Sequence, residues 1–314
     1  MSPAFQVTEQ DEGRHLPGTD ELWGESWYHD FAAADGSYGG YARLGLYPNL
    51  GVVWYWLHLV RRGRPLVLVR DHAAPLPADD ALDVRAERFH ASWRCTDPLL
   101  AWRITTEGTA TMLADPADAF HGEQGPDVPV RVDLGWRGAA SAFPYTQTTR
   151  YEQATWVEGE VVIGDERIEV RCPGERDHSW GVRDWWAFPW LWTSGRLEDG
   201  TWFHAVRSLV GEVDAYFQTG FVVEPNMALR PVARVTFTPE LDDEKLLRRG
   251  DLELDDLGLQ VTPELQAPVL LVAPDGRESR FPRALSRFET RDGRVGRGWT
   301  ELNWPDGWPR EGSS

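Results

Sequence analysis

Between Pro173 and Trp192 the chain reads PGERDHSWGVRDWWAFPWLW, setting Glu175, Arg176, Asp177, His178, Arg183 and Asp184 among Trp180, Trp185, Trp186, Trp190 and Trp192. Charged groups beside so much aromatic surface are not all fully hydrated. A carboxylic acid desolvated by indoles has a raised pKa, because burial penalises the anion. It can stay protonated near neutral pH and donate a proton, with His178 as acid or base. Indole faces stabilise cations through the ring quadrupole. An acid within an aromatic box suits protonation of an alkene or a leaving hydroxyl through a carbocation-like transition state. The candidate catalytic residues are therefore Asp177, His178, Trp180 and Asp184, with His204 as the best second polar partner. Arg176 and Arg183 are the candidate orienting residues. The same charges also allow a plainer arrangement, Arg176–Asp177 and Arg183–Asp184 as ion pairs stapling a loop. Trp54, Trp56, Trp185, Trp186, Trp190, Trp192, Trp202 and Glu301 are the candidate substrate contacts.

The elements that would position these groups are strands. Gly51–Val60 and Pro65–Arg70 are short runs rich in β-branched and aromatic residues. Trp156–Ile163 and Arg167–Cys172 read as a hairpin across Gly164-Asp165. Turns at Asp35-Gly36, Glu107-Gly108, Asp199-Gly200, Asp275-Gly276 and Asp292-Gly293 separate further strands. Helical periodicity is weak, with one helix expected within Pro75–His90 and another near Leu241–Arg249. Strands joined by tight turns suggest antiparallel sheets that close into barrels, about seven or eight strands to each half. The segment Gly122–Tyr145 is poor in strand signals, so residues 1–145 and 146–314 are read as two consecutive barrels.

The length of 314 residues allows two such units, and hydrophobic residues at 41% suffice for their cores. Fifty acidic against 32 basic residues give a net charge of −18, which argues against nucleic acid. No apolar run approaches the ~20 residues of a membrane span. The polar, acidic N-terminus resembles neither a signal nor a transit peptide, so a cytoplasmic protein is expected. Two cysteines, Cys95 and Cys172, cannot build a disulfide framework or a structural zinc site. A single lysine, Lys245, lies in a solvated stretch unsuited to Schiff-base chemistry. G-x-S-x-G, H-E-x-x-H, a helix-opening G-x-G-x-x-G and C-x-x-C are all missing. No metal and no cofactor are expected.

The segment Gly174–Trp186 (GERDHSWGVRDWW) resembles the hydroxyneurosporene synthase, or carotenoid 1,2-hydratase, superfamily and its AttH-like relatives, in which D-H-x-W-G is the most recognisable signature. Glu25–Leu46, Trp54–Trp56, Arg150–Glu160 and Gly298–Asn303 look like its uncharacterised bacterial branch. The resemblance implies two lipocalin-like barrels and places the family's acid–base positions on His178 and Trp180. A tyrosine-x-aspartate pair of the family is replaced here by Trp202-Phe203-His204. Hydratases of the superfamily add water to an isoprenoid C=C, and lipocalin-like relatives include Diels–Alder cyclases. The expectation is a lyase, hydratase, isomerase or cyclase acting on an isoprenoid- or polyketide-like small molecule. The alternative is a non-catalytic carrier of a hydrophobic metabolite. The sequence leaves the oligomeric state open.

Overall fold

The computed structural model describes residues 6–210 and 217–308; the outer ends of both expected units lie beyond them. The first sheet takes β1 (Trp23–Ala32), β2 (Tyr38–Tyr47), β3 (Val52–Arg61), β4 (Leu66–Pro75), β5 (Leu82–Arg85), β6 (Phe89–Asp97), β7 (Ala101–Leu113), β8 (Asp127–Gly138), β9 (Phe143–Pro144), β10 (Arg150–Ile163) and β11 (Glu166–Val182). The second takes β12 (Trp190–Leu197), β13 (Trp202–Ser208), β14 (Gln218–Val223), β15 (Leu229–Pro231), β16 (Val235–Leu241), β17 (Leu247–Leu254), β18 (Leu257–Gln266), β19 (Val269–Val272), β20 (Glu278–Phe281), β21 (Arg283–Thr290) and β22 (Val295–Pro305). All pairings in both are antiparallel. The all-β expectation holds. The two expected helices do not form: Pro75–His90 contains β5, and Leu241–Arg249 holds the end of β16, a turn and the start of β17. Prolines 75 and 77 remove backbone donors from the first segment, and the second pairs as a hairpin with a bulge at Glu240/Leu241. Among the described residues the helices are short 3-10 turns at Glu9–Glu12 and Pro116–Phe120.

In the first sheet the order runs β4-β3-β2-β1-β11-β10-β8-β7, and β4 pairs back onto β7 at Leu66↔Leu113, so the ring closes. Closure removes the unpaired strand edges an open sheet would expose. The second sheet runs β15-β14-β13-β12-β22-β21-β18-β17-β16 as a half-barrel. Side chains bridge its ends: Gln218 Oε1 accepts from the Val235 backbone N–H at 2.9 Å, and the Arg207 guanidinium donates to the Val235 carbonyl.

The chain changes sheets between Val182 and Trp190, later than the boundary read near residue 145. The expected hairpin across Gly164 forms, and its strands β10 and β11 are inserted between β8 and β1 of the first ring. Gly164 supplies the turn's positive φ of 58°. Alternation along these strands sorts their side chains. Val157, Val170 and Cys172 enter the first barrel with Trp27, Leu44, Ile104 and Trp136. A second apolar cluster, including Tyr28, Tyr41, Trp56, Trp192, Leu285 and Trp299, fills the seam between the sheets. The sheets approach closely there, since a Cβ on Gly39 would stand 2.4 Å from Leu285 Cδ1. Gly174 does the same within the ring: its Cβ would meet the Asp30 carbonyl oxygen at 2.1 Å. That approach lets the Glu175 backbone N–H donate to Asp30 Oδ1 at 2.7 Å.

Candidate active site between the two sheets

On β10 and β11, Tyr151 lies opposite His178, Glu152 opposite Asp177 and Gln153 opposite Arg176. Because neighbours on a strand point to opposite sides, Tyr151, Gln153, Arg176 and His178 turn into the first barrel. Glu152, Glu175 and Asp177 turn outward to the seam, where β12 and β13 bring Trp192 and His204.

The seam cluster is densely bonded on one side and bare on the other. Arg150 donates through Nε to Glu152 Oε1 at 2.6 Å and through Nη2 to Asp177 Oδ2 at 2.7 Å. The Tyr145 hydroxyl donates to the same Glu152 oxygen at 2.9 Å, and Trp192 Nε1 does so at 3.2 Å. The phenolic oxygen also lies 2.7 Å from His204 Nε2. With its proton directed to Glu152, the fitting tautomer has His204 Nε2–H donating to the phenol. Nδ1 then carries a lone pair, 3.8 Å from Glu175 Oε1. Glu152 Oε2, Glu175 Oε1 and His204 Nδ1 are buried without a hydrogen-bond partner among the described residues.

Acids this close together and out of water hold their protons. Burial pushes Glu152 up to about 8, with Asp177 adding to the rise and Arg150 opposing it. Burial, then Glu152 and Asp30, hold Glu175 well above the carboxylate range. Burial lifts Asp30 to about 7 against its bonds from the Glu175 N–H and Tyr28. Burial and then Arg150 hold His204 well below the usual imidazole value. The Tyr145 phenol is raised, by burial and then by Glu152. At neutral pH the cluster is a store of acid protons beside a neutral imidazole.

This store has a consequence for stability. Glu152 binds its proton more tightly folded than unfolded, so its contribution is full below about pH 4.5 and lost as pH rises through about 8. His204, depressed when folded, acts oppositely, and its effect is complete above its ordinary value of 6.5. Between pH 6.5 and 8.5 the urea midpoint should therefore fall, and Glu152→Gln should flatten the slope. A wild-type midpoint that rises across this window would refute the assignment of a neutral Glu152.

A cavity of about 500 Å³ opens beside the cluster, with Trp185, Phe188, Trp190, Val206 and Phe217 in its wall together with Tyr145 and Arg150. A larger hollow of about 720 Å³ lies on the outer face of the first sheet. It carries surface ion pairs such as Arg103–Asp133 and Arg131–Glu160 and none of the buried acids.

The sequence candidates divide accordingly. Asp177 and His178, expected to act together, lie on opposite faces of β11. Asp177 is bound to Arg150 in the seam, whereas His178 Nε2 lies 3.0 Å from Glu25 Oε1 inside the barrel. Trp180 stays with His178, stacked on His15 at 3.7 Å. Arg176 pairs with Glu12, not with Asp177. Arg183 bonds nearby carbonyls, and Asp184, largely exposed, accepts from the Trp186 N–H. His204 and Trp192 belong to the seam cluster, and Trp185 and Trp190 line the cavity. Trp54, Trp56 and Trp186 are packed in the seam core. Trp202 packs edge-on against Trp156, away from the cavity. Glu301 is buried against Arg283, whose guanidinium lies over the Tyr28 and Tyr41 rings. Tyr145, Arg150, Glu152 and Asp30 were missed by the sequence reading. The alternation of Arg150 and Glu152 on one face of a strand was the available signal.

Among the described residues two groups could hold a metal ion, with ligand atoms within 4.8 Å of one another: Glu152, Glu175 and His204 in the seam, and His15, Glu25 and His178 in the first barrel. In the seam, Arg150 already places a positive charge on Glu152.

Solved structures share this architecture. An AttH-like protein from Nitrosomonas europaea superposes with a TM-score of 0.66 at 16% identity, covering 96% of this chain and 97% of the other. Kievitone hydratase from Nectria haematococca gives 0.61 at 12% identity, covering 96% and 93%. CghA, solved with Sch210972, gives 0.55 at 13% identity, covering 93% of each chain. At these identities the likeness is one of fold. No curated protein sequence matches. Residues 8–306, which span both sheets, match the family described as "Domain of unknown function (DUF7064)", and the chain belongs to that family.

Proposed function

We propose that the chain is an enzyme of the hydratase or cyclase kind that works by proton transfer from its own side chains. Its substrate is a hydrophobic isoprenoid- or polyketide-like molecule held in the cavity between the sheets. One observation carries this reading: Tyr145 stands in the cavity wall while its hydroxyl touches both Glu152 and His204. A proton store closed to water thus reaches the ligand through one O–H. In the proposed step, that O–H rotates to the cavity and gives its proton to an alkene carbon. Neutral Glu152 reprotonates the phenol and becomes a carboxylate. The cation formed is faced by the rings of Trp185 and Trp190. Water captures it in a hydration, or a second C=C of the same molecule captures it in a cyclisation. In the hydration the captured water then loses a proton, and in the cyclisation the ring cation formed loses one from an adjacent carbon; either proton returns through Tyr145 to Glu152. Arg150 and Asp177 position Glu152. The names of the structural relatives, a hydratase and a protein solved with a small molecule bound, fit this class.

The test starts from protein purified from its own host. Native mass spectrometry and extraction should yield an apolar co-purifying compound. Incubated with fresh enzyme in D₂O, it should give a product carrying one non-exchangeable deuterium at the protonated carbon. A compound that is bound tightly and returned unchanged would make the protein a carrier and reject the enzymatic reading.

A further inference from the structure

We propose that His15, Glu25 and His178 form a binding site for a divalent transition metal of the Zn²⁺ class, which clips the N-terminal segment to the end of the first barrel. The proposal does not depend on the function assigned to the seam, which lies across the sheet. The ligands come from three separate places: the segment before β1, β1 itself and β11. His15 Nδ1 lies 2.7 Å and His178 Nε2 3.0 Å from one oxygen, Glu25 Oε1.

The second nitrogen of each ring is also engaged. His178 Nδ1 is 2.6 Å from the Asp11 carbonyl, which can only accept, so Nδ1 carries a proton and Nε2, aimed at Glu25 Oε1, is the atom left to take a metal ion in place of a bridging proton. His15 Nε2 lies 3.5 Å from the Asp11 carboxylate. An imidazole oriented by a carbonyl or carboxylate behind it is the usual arrangement of a metal-bound histidine. Stacking fixes both ring planes: Trp27 lies on His178 at 4.4 Å and 19°, and Trp180 on His15 at 3.7 Å and 10°.

The donor set selects the ion. Two imidazoles and one carboxylate suit Zn²⁺, Co²⁺, Ni²⁺ or Fe²⁺, whereas Ca²⁺ and Mg²⁺ take oxygen ligands. Metal–ligand bonds of about 2.0–2.1 Å at tetrahedral angles separate ligand atoms by about 3.4 Å. The observed contacts of 2.7 and 3.0 Å therefore need to open by less than about 1 Å. Among the described residues, Glu25 has hydrogen bonds and ion pairs only with these histidines, so no arginine competes for its charge. His15 has a quarter of its side chain exposed, which leaves an entry path and room for a water as fourth ligand.

The full-length protein, stripped with a chelator and dialysed, would be titrated with Zn²⁺ by calorimetry and with Co²⁺ by absorption. One equivalent should bind with Kd below about 10 μM, raising the thermal midpoint. His15→Ala alters a partly exposed side chain. It should weaken binding by more than about 100-fold, beyond the 10–100-fold typical of losing an orienting partner. Glu25→Gln should do likewise, while Glu152→Gln retains the equivalent. Absence of saturable uptake by the wild type would mean that protons alone bridge these groups and would overturn the proposal. So would uptake that survives His15→Ala, or uptake lost in Glu152→Gln.

Discussion

Tyr145→Phe is expected to lower kcat/KM by about 10²–10⁴-fold, the range a positioned proton donor contributes, with KM nearly unchanged. The substitution removes one oxygen and keeps the ring that lines the cavity and sits 5.8 Å from the Phe217 ring. Glu152 retains its bonds from Arg150 and Trp192, so the acid stays in place without a route to the ligand. The cost in stability should be about 1–3 kcal/mol, because His204 Nε2 loses its partner. Glu152→Gln should give a loss of similar size through the other end of the relay. The pH profile adds a readout that mere misfolding would not move. The active form has Glu152 protonated, so wild-type kcat/KM should be present below about pH 8 and decline above it. In Glu152→Gln the residual rate should lose that limb. Wild-type turnover by Tyr145→Phe would remove the phenol from the mechanism.

The second large effect lies inside the first barrel. Glu12 accepts from Arg176 Nη2 at 2.7 Å and Nη1 at 3.1 Å, from Trp102 Nε1 at 2.7 Å and from the Leu99 N–H at 2.8 Å. Glu12→Ala removes all four and strands a buried guanidinium whose remaining partners are Gln153 and Tyr151. Deleting one member of a buried pair costs about 3–5 kcal/mol, chiefly because the other charge stays behind unpaired. The urea midpoint should show it, with the slope unchanged if the barrel still unfolds in one step. Burial raises the Glu12 carboxyl, but Arg176 together with the bonds from Trp102 and the Leu99 N–H outweighs this, and the net shift is downward. Its contribution is therefore present above about pH 4.5 and lost as pH falls through the lower folded value. Acid should narrow the gap between wild type and variant. A loss under about 1 kcal/mol at neutral pH would mean that the barrel end relaxes and hydrates Arg176.

Local chemistry in the sequence predicted the β architecture and the hairpin across Gly164. It did not reveal which charges meet. Arg176 was matched with its sequence neighbour Asp177, although strand alternation sends them to opposite faces. Its partner Glu12, like His15 and Glu25, lies well over a hundred residues upstream. The polar N-terminal stretch carries no motif that marks Glu12 as a partner of Arg176. Tyr145 lies in a stretch poor in strand signals, and Glu152 meets Trp192 and His204 only when the second sheet packs against the first. Register between distant strands depends on how the whole ring closes, and no local window contains that information.

Strand β11 serves as a wall with different tenants on its two sides, Glu175 and Asp177 on one and Arg176 and His178 on the other. This restricts how descendants of the chain can diversify. Inserting a single residue between Gly174 and Glu175 would exchange the two sets, delivering the acids to the barrel interior and stranding the arginine in the seam. Divergence along this strand is therefore confined to replacement in place, while length variation is left to the turns at its ends.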